Sequence, residues 1–246
     1  MSVWNDVATV VGRLGGGTQE AFASLVEALK TAFAGDRTTR RRVAFSIALI
    51  ALSAKMAKAD GIVTPDEVRA FQEVFTVPEE EFGHVRRLYN LAREDVAGYD
   101  QYAQQVRTLF PGDGPEDAEV LGDVLDALFH IAKADGVLHE REMAFLRDVA
   151  DTFAFDELAW QRLSSRHVDG GRGDPFAVLG GSPDMDLKAL RRLYLRGVRE
   201  NHPDRLLARG VPEEFLRVAS DRTAALNEAW SKVQRLHGRS GEGAAT

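Results

Sequence analysis

Six residues occur twice in this chain in nearly the same form, and that repetition restricts the fold more than any other feature. Ala57-Lys58-Ala59-Asp60-Gly61-Ile62 returns as Ala132-Lys133-Ala134-Asp135-Gly136-Val137, displaced by 75 residues, and Glu67 returns as Glu142 at the same displacement. Each copy follows a long apolar segment and precedes one with an apolar stripe, Phe71 and Phe75 after the first, Leu146 and Val149 after the second. A helix, an Asp-Gly turn and a second helix, used twice, read as an internal duplication in which neither copy buries its apolar face alone.

The segments around the repeats carry the period of helices. Residues 39–59 are apolar on nearly all sides (Val43, Phe45, Ile47, Leu49, Ile50, Leu52, Met56), which predicts a helix at the centre of a bundle. Phe22, Leu25, Val26, Leu29 and Phe33 predict a helix over 18–34. Phe82, Val85, Leu88 and Tyr89 predict another, and Tyr99, Tyr102, Val106 and Phe110 a third. After a turn over 111–115, Val120, Leu121, Val124, Leu125, Leu128 and Phe129 begin a second buried helix, and 156–163 form a short last one. The prediction is an all-α bundle over 18–164 with an internal pseudo-repeat. Residues 1–17, which end in Gly15-Gly16-Gly17, are expected to be a weakly ordered arm. Residues 165–173 are polar and glycine-rich and read as a flexible linker, and 239–246 as a disordered tail.

Residues 174–238 have a different character. They carry 11 Lys/Arg against 9 Asp/Glu, whereas residues 1–173 carry 19 against 28. Asp174 caps a short element that starts with Pro175, contains Phe176, Val178 and Leu179, and stops at Gly180-Gly181. Residues 186–201 set Leu187, Leu190, Tyr194 and Val198 on one face of a helix, with Lys188, Arg191, Arg192, Arg196 and Arg199 over the rest. His202-Pro203-Asp204 follows. Pro203 has no amide hydrogen and pushes the residue before it out of the helical region, so the helix is predicted to end there with His202 and Asp204 in a loop. A second helix, opened by Pro212, lines up Phe215, Ala219, Leu226, Ala229, Trp230 and Val233.

His-Pro-Asp between a basic helix and an apolar partner, introduced by Asp174-Pro175-Phe176-Ala177-Val178-Leu179-Gly180 and followed by Leu226-Asn227-Glu228-Ala229-Trp230, resembles the J domain. The extension 205–212 looks more specifically like the J domain of DjlA-type co-chaperones. Two positions depart from the common pattern: Gly197 stands where a large apolar residue is usual, and Leu195 where arginine is frequent. The repeated bundle resembles the TerB-like domain, which precedes the J domain in DjlA-type proteins. The resemblance implies a two-part all-α protein, a TerB-like bundle followed by a J-domain hairpin. It further implies a partner, a DnaK-type heat-shock chaperone, drawn by Lys188, Arg191, Arg192, Arg196 and Arg199 and triggered to hydrolyse ATP by His202, Pro203 and Asp204. The bundle would then target or sense an unknown client.

Other readings are narrowed by chemistry. His202 and Asp204 have no neighbouring serine or cysteine nucleophile and no glycine-rich phosphate loop, so the chain is not expected to be an enzyme. An acidic body makes nucleic acid an unexpected partner. There are no cysteines, which excludes disulfides and thiolate metal sites. The longest apolar run, 43–54, is too short to span a bilayer, and residues 1–12 lack the form of a signal peptide. DjlA-type proteins usually begin with a membrane segment, and its absence here leads to the expectation of a cytoplasmic protein. A homodimer is left open.

The repeated turns leave two roles for their acids. Asp60-Gly61 with Val63 and Glu67, and Asp135-Gly136 with Leu138 and Glu142, match the later half of a calcium-binding loop, but Met56 and Lys58, and Ile131 and Lys133, occupy the places of its first carboxylates. Thr64-Pro65-Asp66-Glu67 is also a capping box, in which Glu67 bonds back to the Thr64 amide. Capping is therefore one role. The other, implied by the TerB-like resemblance, is a single divalent ion shared by Asp60, Glu67, Asp135 and Glu142; no other cofactor is expected. A reading of a different class also stands, a stress-response adaptor whose J-like region has lost its coupling to a chaperone.

Overall fold

The computed structural model describes residues 3–13, 21–60, 77–95, 97–110, 115–133, 136–167 and 174–242, except for the side chains at 21, 60, 115 and 238–242. Among the described residues there is no strand, and the fold is all-α. The chain divides into two compact units. One comprises Met1–Ala154 together with Leu207–Phe215, the other Phe155–Leu206 with Leu216–Thr246.

The first unit is built around a long central helix. Its described helices are α1 (Val3–Gly12), α2 (Ala21–Ala32), α3 (Arg37–Asp60), α4 (Phe82–Glu94), α5 (Tyr99–Leu109), α6 (Pro115–Ala132) and α7 (Glu140–Thr152). From Val43 to Leu52 α3 has no exposed position, as its all-round apolar sequence predicts. The weakly ordered arm expected over 1–17 is corrected at its start: α1 buries Val3, Trp4, Val7, Val10 and Val11. Those five lie at helical spacing, and burial outweighs the poor helix propensity of β-branched valine and the glycine run that suggested an arm. Residues 14–17 lie outside the described ones.

Buried charge is concentrated in this unit. Lys55, on α3, is 3% exposed and donates to the carbonyls of Asp95 (2.9 Å) and Ala97 (2.5 Å), with its ammonium 4.2 Å from the Tyr102 ring centre. Burial, reinforced by Lys58, pushes the Lys55 ammonium below its ordinary range. The Tyr102 hydroxyl donates to Asp95 Oδ2 at 2.7 Å, and burial followed by that bond drives the phenol far above its ordinary value. A second cluster joins α3 and α6 to the segment Leu207–Phe215. Arg209 forks onto Asp123 through Nε and Nη2, both at 2.8 Å, and reaches Glu119 at 2.9 Å. Arg41 donates to the Arg209 carbonyl at 2.8 Å and pairs with Asp117. Gly210 (φ 97°) lies so close to Arg41 that an added Cβ would stand 2.6 Å from Arg41 Cβ. Phe215 packs edge-on against Phe45, 4.8 Å between centres. Phe215 therefore serves the bundle, although its register placed it on the hairpin stripe.

The second unit holds α8 (Glu157–Ser164), α9 (Pro175–Leu179), α10 (Leu187–Glu200), the first half of α11 (Pro203–Arg209) and α12 (Leu216–Glu242). The sequence reading put 156–163 at the end of the bundle, but α8 groups with the hairpin. Residues 165–167 continue from α8 as a turn, and 168–173, the rest of the expected linker, lie outside the described residues. Asp174 caps α9 through the Phe176 amide, and Gly180 ends it in the left-handed region (φ 74°). Phe176, Val178, Leu179, Leu190, Leu226, Ala229 and Val233 form the core. The disordered tail is corrected in part, since α12 runs to Glu242 through Gly238 and Gly241.

Candidate functional site

The candidate site begins with the cap of α10. Asp186 accepts from the Ala189 amide, starting a helix whose inner face contributes Leu190 to the core. Tyr194 lies parallel to Trp230 (5.4 Å, 9°) and donates to Asn227 Oδ1 at 2.9 Å, which ties α10 to α12. Gly197 lets the two helices close further: a Cβ there would come within 3.1 Å of Leu226 Cδ1. The departure from the family pattern is thus matched by close packing.

Packing in this way turns the basic residues outward. Lys188, Arg191, Arg192, Arg196 and Arg199 are all exposed, with Arg196 Nε 3.7 Å from Glu200. Leu195, 42% exposed, stands among them, one helical turn from Arg191, Arg192 and Arg199. The side chain there is apolar on an otherwise cationic surface.

The turn is more ordered than a loop. Pro203 opens the short helix α11, where its missing N–H costs nothing, so Asp204 sits in a first helical turn. His202 caps that helix: its Nδ1 accepts from the Asp204 amide at 3.2 Å, and its carbonyl accepts from Arg205 (3.0 Å) and Leu206 (3.1 Å). The His202 and Asp204 side chains remain 60% and 87% exposed, with Nδ1 3.6 Å from Asp204 Oδ2. Exposure of this order suits presentation to a partner.

Sequence reasoning missed the residue that precedes the turn. Asn201 is 8% exposed; its Nδ2 donates to the Gly197 carbonyl at 2.7 Å, and its Oδ1 accepts from Arg222 Nη1 at 3.1 Å. Arg222 lies four, seven and eleven positions before Leu226, Ala229 and Val233 on α12, so a charge on the apolar stripe was the available signal.

Of the four acids assigned to capping or a shared ion, only the Glu142 side chain lies within the described residues. It is buried and accepts from the His139 amide at 2.9 Å, a capping role. The side chain of Asp60, and Glu67 and Asp135 entirely, lie outside. Among the described residues no group of His, Asp and Glu is arranged to hold a metal ion.

Comparison with known proteins matches residues 46–165 to the family described as Tellurite resistance protein TerB. The co-chaperone protein DjlA of Photobacterium profundum is 26% identical over 224 residues, 80% of this chain and 79% of that protein. The DjlA-type resemblance holds. The DjlA co-chaperone of Vibrio cholerae is 24% identical over 83% of this chain and 82% of its own, and that of Legionella pneumophila 38% identical over 63 residues, 26% and 21% of the two chains. No solved structure matches. The DjlA-like alignment corrects the expectation of a cytoplasmic protein, which rested on a missing membrane segment. The aligned relatives are of the type to which the resemblance attaches such a segment. No described helix is long and apolar enough to cross a membrane.

Proposed function

We propose that this DjlA-like chain is a J-domain co-chaperone. Lys188, Arg191, Arg192, Arg196 and Arg199 attract an acidic surface on a DnaK-type chaperone, and the capped His202-Pro203-Asp204 turn makes the specific contact that speeds ATP hydrolysis. The observation that carries this reading is the exposed, helix-capped turn at the end of an exposed basic helix. The DjlA relatives, named co-chaperones, support the partner's class.

Electrostatic attraction brings the pair together quickly and sets its orientation, and a fixed carboxylate supplies a strong, directional hydrogen bond. The chain itself catalyses nothing; it shifts the partner's conformational equilibrium by binding one state better than another. The TerB-like bundle serves as the targeting or sensing module, and the hairpin carries the chaperone contact.

The test is single-turnover ATP hydrolysis by a DnaK-type chaperone from the same organism. Wild type should accelerate it and Asp204→Asn should not, while the two melt alike because Asp204 is exposed. Stimulation by Asp204→Asn equal to wild type would sink the mechanism. Absence of stimulation by both would leave the adaptor reading, for which apolar Leu195 on the basic face is the supporting feature.

A further inference from the structure

Asn201 and Arg222 stand apart from the exposed residues to which the function is assigned, yet they adjoin the turn. Arg222 is 9% exposed on the stripe that continues through Leu226, Ala229 and Val233, a place where a charged side chain is costly to desolvate. It donates to Asn201 Oδ1, across from α12 to the last residue before His202. Asn201 uses both ends of its amide. Nδ2 gives the Gly197 carbonyl a second donor at 2.7 Å beside the Asn201 amide at 3.1 Å, while Oδ1 takes the arginine. Alanine at 201 would keep the backbone bond to Gly197 but lose both side-chain contacts, including the acceptor for Arg222.

We propose that Asn201 and Arg222 are positioning residues. They lock the end of α10 to α12, so that His202 caps α11 and Asp204 is held in one orientation toward the partner. The role in stimulation rests on the J-domain reading; the role in holding the turn does not. A group that fixes geometry without touching the partner should act on the rate of the triggered step and leave affinity alone.

Two readouts separate these parts. The first is stimulated ATP hydrolysis against concentration of the full-length chain. Asn201→Ala and Arg222→Ala should each lower maximal stimulation about tenfold or more, the scale of a small misplacement, with the half-saturating concentration within about twofold of wild type. The double variant should be no worse than either single one, because both remove the same lock. Arg222→Lys, which keeps the charge and a donor, should recover most of the stimulation. The second readout is amide exchange at Arg205 and Leu206, whose N–H groups donate to the His202 carbonyl. Both alanine variants should exchange about tenfold faster there, with the core of α12 unchanged.

Exchange and maximal stimulation that both match wild type would overturn the proposal, as would a loss confined to half-saturation. If the alanine variants do not fold, Arg222→Met decides: it keeps the length of the side chain on the apolar stripe and lacks the donor for Asn201, and unchanged exchange at Arg205 would overturn the lock. Faster exchange in a chain whose wild type never stimulates would refute the co-chaperone reading and leave the lock standing.

Discussion

Arg209 and Arg192 are the same side chain in opposite surroundings, on either side of the His202-Pro203-Asp204 turn in sequence. Arg209, its side chain 6% exposed, spends its fork on Asp123 and its remaining nitrogen on Glu119 within the bundle. Arg192 projects into solvent from α10. In the bundle, charge holds pieces of one fold together in a medium where an unpaired ion is very costly. On α10, charge contributes little to the fold, because water and salt screen it, and so it remains available for a second molecule. A count of arginines along the sequence would treat the two alike.

The contrast can be broken most severely at Arg209. Arg209→Ala leaves Asp123 buried without its guanidinium, and the expected loss is about 3–5 kcal/mol of stability, as for other buried pairs with one partner removed. Urea denaturation of the full-length protein checks it. A loss like that of a surface substitution would mean the cluster is not the anchor described.

A smaller effect concerns the buried Tyr102 and Asp95. With its pKa raised above the ordinary 10, the phenol keeps its proton in the folded chain while the unfolded chain releases it. The stability this confers is complete below pH 10 and falls as pH rises beyond it, at up to about 1.4 kcal/mol per unit. Tyr102→Phe should flatten that fall in denaturation measured between pH 9 and 11, and an unchanged slope would assign the pH dependence elsewhere.

The smallest change in stability is expected on α10. Arg191→Glu with Arg192→Glu should alter folding by no more than about 0.5 kcal/mol while weakening the proposed chaperone interaction, most at low salt. If this double variant destabilised the chain as much as Arg209→Ala, exposed and buried charge would not differ in kind here.

Much of this is legible in the sequence. The central helix α3 follows from apolar residues on all sides, α9 from its Asp-Pro start and glycine stop, and α10 from its alternating faces, because helical period and end signals are local chemistry. The outward position of the basic residues of α10 is legible for the same reason. The pairing of Asn201 with Arg222 is not: a charge on the apolar stripe marks Arg222 as unusual but does not name its partner, which lies beyond α11 and the start of α12. The arm expected over 1–17 is misjudged because Gly15-Gly16-Gly17 is a local signal, whereas burial of Trp4 and four valines depends on the rest of the bundle.

Periodicity, capping residues and the repeated Asp-Gly turn determined from sequence alone that the chain is all-α and that a basic helix ends at His-Pro-Asp. Only the tertiary structure decided that Leu207–Phe215 belongs with the bundle and Phe155–Ser164 with the hairpin. It also decided that Gly197 admits Leu226 and that Asp204 rides on a capped helix. The physical reason is range. Backbone preferences act over a few residues, whereas the burial of Arg209, Phe215 and Arg222 depends on partners far away in the chain, which sequence spacing does not specify.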